Sequence, residues 1–170
     1  GRILRLGFSF HGSPEGVDYL LGEYDWDIAQ IQLTYLDWEI QYASTLYARL
    51  ETKKIPCIVM EPLRGGNLAT LTSDAAALLR KAAPGKSVAS WGMRFAASLP
   101  GVVTVLSGMT TMEQVDDNIA TMSPLLPLTA QERKILDKAA ALYVEAGAIP
   151  CTGCGYCMDC PFGGGIAIEF

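Results

Sequence analysis

PCIVMEPLRGG, residues 56 to 66, is a short apolar run that breaks into proline, arginine and two glycines. The run from Pro56 to Met60 suits a strand buried on both faces, and Glu61-Pro62-Leu63-Arg64-Gly65-Gly66 suits a loop at its carboxyl end. Three other runs repeat the pattern: Leu6 to Ser9, Ile28 to Leu33 and Val102 to Leu106. Each is followed by polar residues: Ser9, Phe10 and His11; Gln32, Thr34, Tyr35 and Asp37; Ser107-Gly108-Met109-Thr110.

Helical patterns fill the intervals. Ser13-Pro14-Glu15 offers a serine N-cap and a proline at the first helical position, with Leu20, Leu21 and Tyr24 as the inward stripe. A second helix, about Glu39 to Lys53, would place Tyr42, Leu46 and Leu50 on one face. Others are expected near Ser73 to Ala82 and Ser87 to Leu99. Thr110-Thr111-Met112-Glu113 and Thr129-Ala130-Gln131-Glu132 have the form of capping boxes, the second opening a last helix to about Ala146.

Alternating strands and helices imply parallel βαβ units, hence an open doubly wound sheet or part of a (β/α)8 barrel. No G-x-G-x-x-G follows the first strand and no G-x-x-x-x-G-K-[ST] occurs, which weakens the nucleotide-fold reading. In a barrel the polar loops would share one rim, where barrel enzymes assemble their sites. Four strands would make only half of it.

The 170 residues carry a formal charge of −5, with no run of like charge longer than two, so nothing resembles a nucleic-acid stripe or a polybasic anchor. No apolar stretch approaches the roughly 20 residues that span a bilayer. The start, GRILRLGFSFHG, lacks a signal peptide's h-region. A cytoplasmic location is the default, and the first residue reads as mid-protein sequence, as in a fragment.

GRILRLGFSF, IAQIQLTYLD, PCIVMEPLRGGNLA and VVTVLSGMTTMEQVDDN, in that order and spacing, resemble the second half of aldo/keto reductases, from the approach to the fifth barrel strand through the eighth. The Cys-rich end resembles the members that carry a C-terminal iron–sulfur segment. The resemblance implies an α/β fold: residues 1–148 as the C-terminal half of a (β/α)8 TIM barrel, and residues 149–170 as a small iron–sulfur tail. It implies an oxidoreductase that binds NAD or NADP.

Residue by residue, the resemblance puts Ser9 where the family holds the nicotinamide carboxamide, with Phe10 where an asparagine usually follows. It gives Gln32 the same task, with Tyr35 completing a Q-x-x-Y pattern. Pro62, Leu63 and Gly65 fall in the loop that passes the pyrophosphate. Gly108, Met109, Gln114, Asp117 and Asn118 fall in the loop and short helix that grip the adenosine end, where a helix N-terminus suits a phosphate. Gly108 and Gln114 stand where many relatives have cations for a 2′-phosphate, so a preference for NADP over NAD is not supported. The family's catalytic aspartate, tyrosine, lysine and histidine belong to the first four strands, so this chain alone is not expected to reduce carbonyls in the ordinary way.

CTGCGYCMDCP, residues 151 to 161, spaces Cys151, Cys154, Cys157 and Cys160 two residues apart and closes with a proline. A structural zinc site usually separates two Cys pairs by a longer loop, and a disulfide knot suits an oxidising compartment. Successive C-x-x-C steps ending in Cys-Pro are close to the ferredoxin pattern for a [4Fe–4S] cluster, although that pattern has three residues before its last cysteine. Cys160 either closes the same cluster or belongs with a second motif further on.

Other residues have quieter readings. His11 suits a proton donor or a turn-forming structural histidine equally. Asp37 and Glu61 suit acid–base roles at a barrel mouth, or loop capping and ion pairing with a neighbour such as Arg64. Cys57 reads as a small hydrophobe, and Trp26, Trp38, Trp91, Tyr42 and Phe95 as core packing. Four strands leave two open edges, so a non-catalytic scaffold or electron-transfer module that dimerises to complete its sheet is a second reading. A barrel piece with a structural zinc tail is a third.

Overall fold

The structure is a computed structural model that describes residues 2–147. Its strands are β1 (Gly7–Phe10), β2 (Ile28–Gln32), β3 (Cys57–Met60) and β4 (Val102–Val105). They form one parallel sheet in the order β1-β2-β3-β4. Each strand therefore lies beside its sequence neighbour, and the order never reverses as it does in a doubly wound sheet. This is the winding of a barrel wall.

The helices are α1 (Pro14–Glu23), α2 (Asp37–Ile40), α3 (Ala43–Thr52), α4 (Ser73–Ala82), α5 (Val88–Ala97), α6 (Met112–Met122) and α7 (Ala130–Glu145), with a 3-10 turn over Asn67–Ala69. Ala29, Ile31 and Leu33 are 0% exposed, as is Val59 on the next strand. With Leu46, Leu50, Leu79, Trp91 and Leu136 they make the core between sheet and helices. Among the described residues no helix is long and apolar enough to cross a membrane.

Several expectations need correction. Three of the strands are not buried on both faces: along β2 fully buried residues alternate with half-buried Ile28, Gln30 and Gln32, and β1 and β4 have no fully buried residue, whereas β3 buries Cys57 and Val59 on one face and Met60 on the other. One face packs on helices and the other is open, which is half of a barrel's burial. The helix expected from Glu39 to Lys53 is two helices, because Tyr42 between them takes φ 61°. That break turns Tyr42 outward, 61% exposed, while Leu46 and Leu50 stay buried. On α1, Val17 and Leu21 supply the buried stripe and Tyr24 lies outside.

Ser13 does stand at the α1 N-cap with proline behind it, but its side chain makes no capping hydrogen bond. The first capping box sits one residue later than expected: Thr111 accepts from the Gln114 N–H, and the Gln114 side chain accepts from the Thr111 N–H. Because α6 starts at Met112, its third residue is Gln114, not Glu113. The box at Thr129 and Glu132 opens α7 as expected.

Candidate functional site

The loops after β3 and β4 enclose a cavity of about 780 Å³ at the carboxyl end of the sheet. That size suits a small-molecule ligand. The β3 loop turns sharply: Glu61, Arg64, Gly65 and Gly66 all have positive φ, between 54° and 95°. Left-handed backbone is natural for the two glycines and strained for the other two. The bend brings the Glu61 carboxylate back onto the Gly65 N–H, which donates to Oε2 at 2.6 Å. The N–H of a residue that lines the cavity thus already donates to an anionic oxygen.

Two devices keep the loop in place. Arg64 and Asp37, each about 1% exposed, form an ion pair with Nε 3.5 Å from Oδ1. Asp37 Oδ2 also accepts from the Thr34 hydroxyl at 2.8 Å and from Gln32 Nε2 at 3.2 Å. Glu61 and Asp37 therefore do the loop capping and ion pairing that were one of their two readings. On the other side, Gly92 lets α5 approach closely: a Cβ there would stand 2.7 Å from Leu63 Cδ2 and 3.1 Å from the Pro62 carbonyl oxygen.

The opposite wall is built by α6 and the loop before it. Gln114 Oε1 accepts from the Thr110 N–H at 2.7 Å and the Thr111 N–H at 3.2 Å, so its side chain is committed to the helix start. Asp117 accepts from the Ser87 hydroxyl at 2.6 Å while Ser87 caps α5, and Asn118 donates to Ser107 Oγ at 2.9 Å. These bonds tie α6 to α5 and to the end of β4.

Of the residues singled out in the sequence, Pro62, Leu63, Gly65, Gly108, Met109, Gln114, Asp117 and Asn118 line this one cavity. Ser107, Ala89 and Thr110 line it too and were not singled out for it. Ser9, Gln32 and Tyr35 do not line it. Ser9 lies on β1, and its register partner on β2 is Gln30, whose Nε2 lies 3.3 Å from Ser9 Oγ and 3.3 Å from Met60 Sδ. Gln30 and Gln32 share a strand face, and strand register, which the sequence does not display, picks Gln30 as the neighbour of Ser9.

Tyr35 faces the helix layer. Its ring meets Phe95 edge-on at 6.2 Å and lines a separate groove with Trp38, Arg133 and Leu136. Burial raises its pKa well above the ordinary phenol range. His11 is exposed in the loop after β1. Cys57 is 1% exposed, and burial pushes its thiol up to about 12, so it behaves as the small hydrophobe expected. Trp91 and Phe95 are core, whereas Trp26 and Trp38 pack at its margin.

Among the described residues no group of three or more His, Cys, Asp or Glu is placed to hold a metal ion. Cys151, Cys154, Cys157 and Cys160 lie outside the described residues.

Comparison with known proteins places this geometry. The family model for the "Aldo/keto reductase family" matches residues 1–141. An aldo-keto reductase from Bacillus halodurans, in its holo form, is similar in structure with a TM-score of 0.62 at 21% identity, over 78% of this chain and 49% of that one. An aldo-keto reductase from Klebsiella pneumoniae in complex with NADPH gives 0.61 at 21% identity, over 82% of this chain and 48% of that one. The chain thus spans about half the length of the solved structures it matches. No curated protein matches it in sequence.

Proposed function

This chain belongs to the aldo/keto reductase family, and from that premise we propose that it is the cofactor-holding half of a (β/α)8 oxidoreductase, binding a nicotinamide dinucleotide, NAD or NADP, in the cavity between the β3 and β4 loops. Residues 1–148 would be the half-barrel and residues 149–170 the segment for a [4Fe–4S] cluster, in a cytoplasmic protein. The observation that carries the cofactor reading is the Glu61 carboxylate on the Gly65 N–H. A loop N–H at the cavity wall donates to an anionic oxygen, and a pyrophosphate oxygen can accept such a bond in the same way.

When bound, the nicotinamide supplies hydride transfer. The chain's own part is to bind and orient. Pro62, Leu63 and Gly65 form the wall for the pyrophosphate, and Gly108, Met109, Gln114, Asp117 and Asn118 the wall for the adenosine. Ser9 and Gln32 would be the carboxamide contacts, with Gln30, whose amide donates to Ser9 Oγ, beside them on the same strand face. Among the described residues lining the cavity there is no tyrosine, lysine or histidine. The proposal therefore places acid–base chemistry on strands that this chain does not supply.

The donor set of the tail supports the cluster: four thiols at successive C-x-x-C steps followed by Pro161. Titration of the chain with each dinucleotide, followed by quenching of tryptophan fluorescence, tests the cofactor site. No quenching by either removes the reading. Anaerobic reconstitution with an iron, sulfide and zinc assay tests the tail, and zinc without visible absorbance would replace the cluster by a structural zinc site.

The open sheet face and the outer sides of β1 and β4, which pair with no strand among the described residues, favour a second reading, a scaffold or electron-transfer module that pairs with another copy to close eight strands. Light scattering distinguishes it: a dimer that binds neither dinucleotide is the outcome it requires.

A further inference from the structure

The walls of the cavity differ in charge from what a doubly phosphorylated adenosine needs. Its two charged lining residues are carboxylates, Glu61 and Asp117, and among the described residues no Lys, Arg or His lines it. The cation nearest in sequence, Arg64, is about 1% exposed and turned to Asp37. Lys86 adjoins Ser87 in the chain but is exposed and outside the lining. The sequence after residue 147 contains neither lysine nor arginine.

Several polar side chains of this wall are tied to one another. The Gln114 oxygen is committed to the Thr110 and Thr111 amides, and Asn118 to Ser107. Ser87, the N-cap of α5, already donates to Asp117. At the loop itself Gly108 leaves open space: a Cβ built on it meets nothing within 4 Å. A cationic side chain would fit there, and the chain has none.

A 2′-phosphate adds about −1.5 to −2 of charge near pH 7. In a half-enclosed cleft that bears two carboxylates and, among the described residues, no cation, that charge meets like charge and no counter-charge while losing part of its hydration. A ribose 2′-hydroxyl, by contrast, can donate to a carboxylate. Resting on the nicotinamide reading of this cavity, we infer that the site selects NAD(H) and rejects NADP(H), unlike the Klebsiella relative solved with NADPH.

Calorimetric titration of the full chain with NADH and with NADPH tests this. NADH is expected to bind about tenfold or more tightly, with the gap narrowing as salt is raised. Gly108→Lys is expected to tighten NADPH by about tenfold with little change for NADH, and Asp117→Asn to narrow the gap from the other side. NADPH binding as tightly as NADH, or more so, overturns the inference and leaves the nicotinamide site standing. Binding of neither overturns the site and the inference with it.

Discussion

Arg64 Nε stands 3.5 Å from Asp37 Oδ1, and both side chains are about 1% exposed. Asp37 is also held by Thr34 and Gln32, whereas Arg64 Nε and Nη2 have no hydrogen-bond partner among the described residues. The pair joins the start of α2 to the loop after β3, and so fixes one wall of the cavity to the neighbouring βα unit. Removing one partner strands a buried charge. Asp37→Ala is expected to cost about 3–5 kcal/mol of stability by denaturant unfolding. Replacing both, Asp37→Leu with Arg64→Met, is expected to recover most of that loss, since two apolar groups leave no charge unpaired. A double variant as unstable as the single one would show that loop geometry, not charge, is at stake.

Glu61 competes with any anion for the Gly65 N–H. Glu61→Ala frees the amide and removes a negative charge from the wall, so dinucleotide binding is expected to tighten by about fivefold, the value of about 1 kcal/mol for one hydrogen bond. Fluorescence titration of both proteins measures it. Weaker binding in the variant would mean that Glu61 contacts the ligand directly.

Strand existence and order were legible because four apolar runs alternated with helical periodicity, and each run fell within a residue or so of an observed strand. What was not legible depended on groups distant in sequence. Register between β1 and β2 decided that Gln30, not Gln32, neighbours Ser9. The break at Tyr42 is a backbone conformation that helical spacing cannot announce. Tyr35 looked like a site residue by pattern, yet it lies in the turn past the end of β2, where strand alternation no longer applies, and its ring turns to Phe95. The cavity wall read better, since Pro62 to Gly65 and Gly108 to Asn118 are each contiguous.

Arg94 on α5 and Glu132 at the start of α7 meet at 2.8 Å, and the hydrogen bond from Arg94 holds the Glu132 carboxyl down at about 2 against an ordinary 4.5. A depressed carboxylate pKa means that the unfolded chain binds more protons in that window, so this pair's stabilisation is complete above about 4.5 and is lost as pH falls toward 2. Thermal unfolding between pH 5 and pH 2 should show a steeper fall for the native protein than for Glu132→Gln, the two curves converging in acid. Parallel curves would mean that the pair contributes nothing to folding.

Cys57 and the four tail cysteines should differ in reactivity. Cys57 is buried with its thiol pushed up to about 12, so peptide-level alkylation at pH 8 is expected to leave it unmodified until denaturant unfolds the sheet. Without metal, Cys151, Cys154, Cys157 and Cys160 are expected to alkylate while Cys57 does not. After anaerobic reconstitution, ligation deprotonates and shields each cysteine that binds iron. Protection of all four tail cysteines with four irons per chain would make Cys160 the fourth ligand. Protection of three, with Cys160 still alkylated and Cys160→Ser retaining the visible absorbance, would assign the fourth iron position to another group.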